Sequence, residues 1–140
     1  MMTISITRLR LRSLRYGPPF LYYTLVSARQ ARQAAGNAGV ALRRHGGAYW
    51  TLTLWKDRAA VRDFMRTGPH RAAMVKLPLW CDEASLAHWD QETDRVPSWA
   101  DAERHLATEG RLSAVKFPSA AQAAGHTLGS SWSLRVALWI

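Results

Sequence analysis

Apolar residues along this chain recur with two periods, every second position and every third or fourth, and the switches between them mark the elements. From Thr3 to Arg15 the set Ile4, Ile6, Leu9, Leu11 and Leu14 alternates with Thr and Arg, the pattern of a strand with one wet face. Its phase slips between Ile6 and Leu9, so a bulge or bend is expected there. Tyr16-Gly17-Pro18-Pro19 stops the strand. Phe20 to Ala35 then carries Leu21, Leu25, Ala28 and Ala35 at helical spacing, with Gly36-Asn37 and Gly39 as exit signals. Val40 to Arg44 reads as a short strand, turned by His45-Gly46-Gly47 into a strong one from Ala48 to Trp55.

In that strong strand Trp50, Leu52 and Leu54 point one way, and Tyr49, Thr51, Thr53 and Trp55 the other. Both faces are bulky, so the strand is central and covered on two sides. Asp57 caps a helix with Val61, Phe64 and Met65 inward, and Thr67-Gly68-Pro69 breaks it into a second helix from Pro69 to about Leu77, where Pro78 bends or ends it. Glu83 to Asp90 alternates as a further strand. Pro97-Ser98 caps a helix from Trp99 to about Thr108, and Arg111 to Phe117 is a last strand. The order is the split β-α-β arrangement of an α+β, ferredoxin-like fold with a four-stranded antiparallel sheet packed on helices. The expected division is a domain over residues 1–117 and a C-terminal extension over 118–140, with Ser119 to Gly125 as a linker and Trp132 to Ile140 as a strand or amphipathic piece.

The formal charge of +9 is uneven: residues 1–76 hold fourteen Arg or Lys against Asp57 and Asp63, whereas residues 77–140 hold five against eight acids. The two halves are therefore expected to attract one another. No basic and aromatic residues interleave as a stacking platform, so nucleic acid is not an expected partner. Cys81 is the one cysteine, which excludes an intrachain disulfide and points to a reducing cytoplasm. The apolar run from Pro18 to Val26 is too short to span a bilayer, and no targeting segment is read.

The residues Trp50-Thr51-Leu52-Thr53-Leu54-Trp55-Lys56-Asp57, with Ala60, Phe64, Met65, the turn Gly68-Pro69-His70-Arg71, Ala73-Met74 and Trp80, resemble the core of bacterial dimeric α/β-barrel proteins. The pattern is similar to an uncharacterised-function group related to spheroidene monooxygenase, and more distantly to antibiotic-biosynthesis and heme-degrading monooxygenases. The resemblance spans residues 3–117. It implies a homodimer in which one sheet face meets its own helices and the other meets the sheet of a twin. It also implies a pocket between sheet and helices, used by many members to oxygenate small apolar molecules, some with heme and some without a cofactor.

His70 is the first candidate for chemistry. In the first turn of a helix beginning at Pro69 its proton affinity is lowered, and a neutral imidazole is what a heme iron needs. In the related spheroidene group such a Gly-Pro-His turn implies heme. The alternative is a structural His bonded to a backbone carbonyl or to Asp63. Tyr49, Trp50, Trp55 and Trp89 are the expected substrate wall for an apolar or aromatic ligand, with Arg71 beside His70. The competing reading has these rings filling the core and the dimer seam. Arg58, Arg62 and Arg66 form a helical stripe that is either solvated or reaches the acids from Asp82 to Asp101. The histidines share no metal-ligand spacing, and no nucleophile elbow, P-loop or dinucleotide glycine pattern occurs, so no metal site, hydrolase or kinase is expected. The function read is a monooxygenase-like oxidoreductase on a small apolar or aromatic molecule, heme-dependent or cofactor-free, and the alternative is a non-catalytic ligand-binding or assembly protein.

Overall fold

The computed structural model describes residues 1–130. The chain runs β1 (Met2–Leu11), α1 (Gly17–Gln33), β2 (Asn37–His45), β3 (Ala48–Trp55), α2 (Arg58–Met65), α3 (Gly68–Trp80), β4 (Cys81–Gln91), α4 (Trp99–Glu109), β5 (Arg111–Leu112) and α5 (Ala120–Ala123). The strands form one antiparallel sheet in the order β2-β3-β1-β4-β5, the ferredoxin-like order with a two-residue fifth strand at its edge. The last strand is thus shorter than the expected Arg111 to Phe117. Pro78 sits inside α3 and does not end it. The β2–β3 hairpin turns on Gly46 and Gly47, both at positive φ, the geometry that keeps a two-residue loop in step with strand twist.

Register sorts the sheet into rows of opposite character. One face carries Gly39–Leu54–Ile4–Trp89 and Ala41–Leu52–Ile6–Ala87 across four strands. The alternate rows, Val40–Thr53–Ser5–His88 and Leu42–Thr51–Thr7–Leu86, face the other way, towards α1, α2 and α3. The first face is a dry core: Ile4, Ile6, Leu52 and Leu54 are fully buried and pack with Ala102 and Leu106 of α4 and with Trp99 and Leu128. Residues that a twin's sheet was expected to cover are therefore covered from within the chain. A second sheet could reach this face only by displacing α4.

The phase slip at Ile6 is no bulge. β1 runs straight through it, and the next buried inward position is Arg8, 1% exposed. Its Nη1 meets Glu83 Oε1 at 2.9 Å, and Glu83 is also fully buried. Arg10, Ser119 and Ser130 converge on the same carboxylate. Burial raises the Glu83 carboxyl, but hydrogen bonds from Ser119, Ser130 and Arg8 outweigh that effect and hold it at about 2. Gly129, at φ +65°, passes so close that an added Cβ would lie 2.1 Å from Glu83 Oε1.

Residues 119–130 are thereby pinned on the sheet. Where a linker was expected, α5 forms a capped helical turn and Gln122 is buried, donating to the Ala84 and Ser113 carbonyls. The expected element from Trp132 to Ile140 lies outside the described residues. Charge attraction between the halves takes concrete form in Arg8–Glu83, Arg10–Asp82, Arg43–Glu103 and Arg58–Asp90. Arg58 is the member of the α2 stripe that reaches an acid, while Arg62 and Arg66 stay exposed.

Candidate functional site

Between the second sheet face and α1, α2 and α3 lies a largely apolar cavity of about 540 Å³. That volume suits a small organic ligand. Its floor is the Ser/Thr side of β1 and β3. Ser5, Thr7 and Thr51 offer hydroxyls there that have no hydrogen-bond partner among the described residues, whereas Thr53 Oγ1 accepts from Trp55 Nε1 at 2.8 Å. The roof brings Phe20, Thr24 and Ser27 of α1, Phe64 of α2 and His70 and Ala73 of α3. Ser27 Oγ is buried and has no partner among the described residues. An orphaned hydroxyl at a cavity wall is a ready contact for a ligand.

His70 lines this cavity. Gln30 of α1 builds the corner: its amide donates to the Thr67 carbonyl at 2.8 Å, and its Oε1 accepts the His70 N–H at 2.9 Å, satisfying a first-turn donor of α3. The His70 ring tilts against Phe64 with centroids 4.5 Å apart, and Phe64 in turn rests on Trp55 at 5.0 Å. Nδ1 lies 3.3 Å from the Met65 carbonyl. A carbonyl only accepts, so Nδ1 is the protonated nitrogen and Nε2 keeps a lone pair. Burial lowers the proton affinity of the ring, partly opposed by the Met65 bond, so the neutral form dominates at neutral pH. The structural and chemical readings of His70 are joined here, because the carbonyl bond is what sets the tautomer.

His88 of β4 is a second histidine of the cavity. It lies in one row with Ser5 and Thr53, lines the cavity, and is held neutral chiefly by burial, with Arg111 and Arg58 adding repulsion. The available signal was the alternation of β4, which puts Ala84, Leu86 and His88 on one side. The floor hydroxyls were legible in the same way, from Ser5 and Thr7 between the isoleucines.

The expected aromatic wall is mostly elsewhere. Tyr49 lines the cavity beside Phe20, with ring centroids 4.8 Å apart. Trp50 touches it, but its ring belongs to the opposite core, where Arg43 and Arg8 lie over it at 4.7 and 5.9 Å. Trp55 is wholly buried behind Phe64 and is not part of this cavity's lining. Trp89 is on the α4 face, stacked on His105 at 3.9 Å. Arg71 points into solvent, one position past His70 and therefore about 100° round the helix. Cys81 is buried at the head of β4, and burial with the charge of Asp82 pushes its thiol up to about 12, an inert group. Among the described residues no group of three His, Cys, Asp or Glu is placed to hold a metal ion. No helix among them is long and apolar enough to cross a membrane.

The sequence pattern of DUF3291, a domain of unknown function, matches residues 26–123. The chain belongs to the DUF3291 family. No curated protein sequence matches it. This DUF3291 chain shares its fold with Rv0793 from Mycobacterium tuberculosis at a TM-score of 0.59 and 11% identity, over 66% of this chain and 100% of that one. SnoaB, a cofactor-independent oxygenase from Streptomyces nogalater, aligns at 0.55 and 13% identity over 69% and 98% of the two chains. A putative antibiotic biosynthesis monooxygenase from Nitrosomonas europaea aligns at 0.59 and 13% identity over 65% and 90%. At these identities the likeness shows the fold alone, an α+β ferredoxin-like one as expected.

Proposed function

We propose that this DUF3291 chain is a monooxygenase-like oxidoreductase in which His70 Nε2 removes a proton from a small apolar molecule held between sheet and helices. The observation that carries the reading is a neutral imidazole at the wall of an apolar cavity, its tautomer set by the Met65 carbonyl. The substrate is an aromatic carbon acid, an activated methylene beside a ring and a carbonyl. Its conjugate base bears charge on that carbonyl oxygen, and the hydroxyls of Ser5, Thr7 and Thr51 are donors for it. The carbanion passes electrons to dioxygen. Overall the methylene becomes a carbonyl, one oxygen atom enters the product and the other leaves as water.

The residues also fit heme in one respect: His70, with Nδ1 on the Met65 carbonyl, would hold the iron through Nε2, and Arg44 at the cavity edge would pair with a carboxylate of the group. Bound there, heme would supply oxygen activation. A homodimer, the assembly implied by the resemblance, would have to form without sheet-on-sheet packing where α4 covers the Ile4–Leu54 face. Sedimentation reads that assembly directly.

Oxygen uptake with a panel of aromatic carbon acids tests the function. Turnover without added cofactor, lost in His70→Ala while the substrate still binds, supports it. Binding of the panel with no oxygen uptake, with and without hemin, makes the protein a non-catalytic ligand carrier and removes the proposal.

A further inference from the structure

The outward surfaces of α1 and α3 are apolar where solvent-facing helices are ordinarily polar. Tyr22 and Leu25 on α1 are 61% and 56% exposed, and Val75 on α3 is 78% exposed, with Leu21, Met74 and Leu79 exposed beside them. Tyr22 and Leu25 are three residues apart and Val75 and Leu79 four apart, so each pair shares one helix face. The two helices pack side by side, Tyr23 against Trp80 at 5.8 Å and Lys76 Nζ over the Tyr23 ring at 5.9 Å. Neither helix contains an Asp or Glu: the first acid in the chain is Asp57, and none occurs between Asp63 and Asp82. Arg29, Arg32, Arg71 and Lys76 lie on these helices without an ion-pair partner among the described residues.

We propose that this face of the α1–α3 pair docks on an anionic lipid bilayer. Exposed Leu, Val, Tyr and Met enter the headgroup boundary while long cationic side chains reach the phosphates. Charge decides the occupant. A second copy seated by two-fold symmetry would set four cations against the same four, with no acid on either helix to balance them. The face is continuous with the cavity, since Leu21, Leu25 and Met74 are both exposed and part of its lining. Docking therefore brings the cavity mouth to the phase in which a sparingly soluble ligand resides. That last step rests on the pocket reading of the proposed function; the lipid surface itself does not.

Co-sedimentation of the full chain with vesicles tests the surface, using phosphatidylcholine alone and phosphatidylcholine mixed with phosphatidylglycerol. The anionic vesicles are expected to bind at least about tenfold more tightly, with affinity falling as salt rises. Val75→Glu is expected to lower that affinity about tenfold, and so is Lys76→Glu, while uptake of a neutral naphthylamine dye into the cavity is unchanged. Should Val75→Glu fail to fold, Tyr22→Glu at its exposed position carries the same test. Absence of binding to anionic vesicles at low salt overturns the proposal. So does binding that Val75→Glu and Tyr22→Glu leave intact, or a stable self-association that these substitutions abolish, which would make a second copy the occupant. Vesicles carry no substrate, so a failed oxygen-uptake assay leaves this result readable, and the reverse also holds.

Discussion

On the α4 side of the sheet, Ile4, Ile6, Leu52 and Leu54 leave no surface to water; one residue further along each strand, Ser5, Thr7 and Thr51 face a cavity. The same two strands thus build a packed core on one side and a hollow on the other. Packing a dry face yields stability, because each buried side chain contributes about 1.5–3 kcal/mol. The hydroxyl face yields little, and several of its polar atoms have no partner among the described residues. Such a face is a cost to folding unless a ligand or water uses it. The difference marks where selection for a ligand, as opposed to selection for a core, would act.

The comparison breaks most severely at the ion pair. Glu83→Gln leaves Arg8 charged in the α4-side interior and is expected to cost about 3–5 kcal/mol in denaturant unfolding, whereas replacing both residues by Met costs much less. The same site has a pH signature. Its carboxyl sits at about 2, below the ordinary 4.5, so its stabilising contribution is complete above 4.5 and is lost as pH falls towards 2. An acid-unfolding curve of the Glu83→Gln variant that matches the wild type would remove this assignment.

Truncating a core residue on that side comes next. Leu106→Ala is expected to cost about 2–5 kcal/mol while oxygen uptake below the melting temperature is unchanged. His70→Ala should invert that pattern, with turnover down about a hundredfold or more and unfolding shifted by about 1 kcal/mol. In the wild type, kcat/KM should be flat above pH 6.5 and fall only at a pH below it, since burial depresses the ring's proton affinity and the base must be neutral. A fall centred above 6.5 would exclude His70 as the base.

The smallest effect sharpens the contrast. Ser27→Ala removes an orphaned buried hydroxyl, so the free chain should be as stable as the wild type to within about 1 kcal/mol or slightly more stable. Ligand affinity, measured by tryptophan quenching, should nevertheless weaken.

Periodicity made most of this architecture legible. Alternation from Tyr49 to Trp55 assigned both faces of β3 correctly, and Asp57 before Ala60 marked the α2 cap, which the structure closes at 2.8 Å. The Thr67-Gly68-Pro69 break located His70 in a first turn. Alternation could not say how each face is covered. Trp55 and Tyr49 share a side of β3, yet Phe64 closes over one ring and leaves the other in the cavity. The slip at Ile6 misled because an arginine in an inward position looks like a lost phase. Its partner Glu83, 75 residues away, helps to make Arg8 tolerable in the interior.

The order of elements, the cap and break that frame His70, and the charge difference between the halves were all written in the linear chain. They depend on spacing and local backbone preference, which act over a few residues. The tertiary structure alone decided that α4 rather than a twin's sheet covers the Ile4–Leu54 face, that the Met65 carbonyl fixes the His70 tautomer, and that Ser5 and His88 meet in one row. The first and last are contacts between distant segments, and the second depends on how the α2–α3 break turns the ring, none of which leaves a period in the sequence to read.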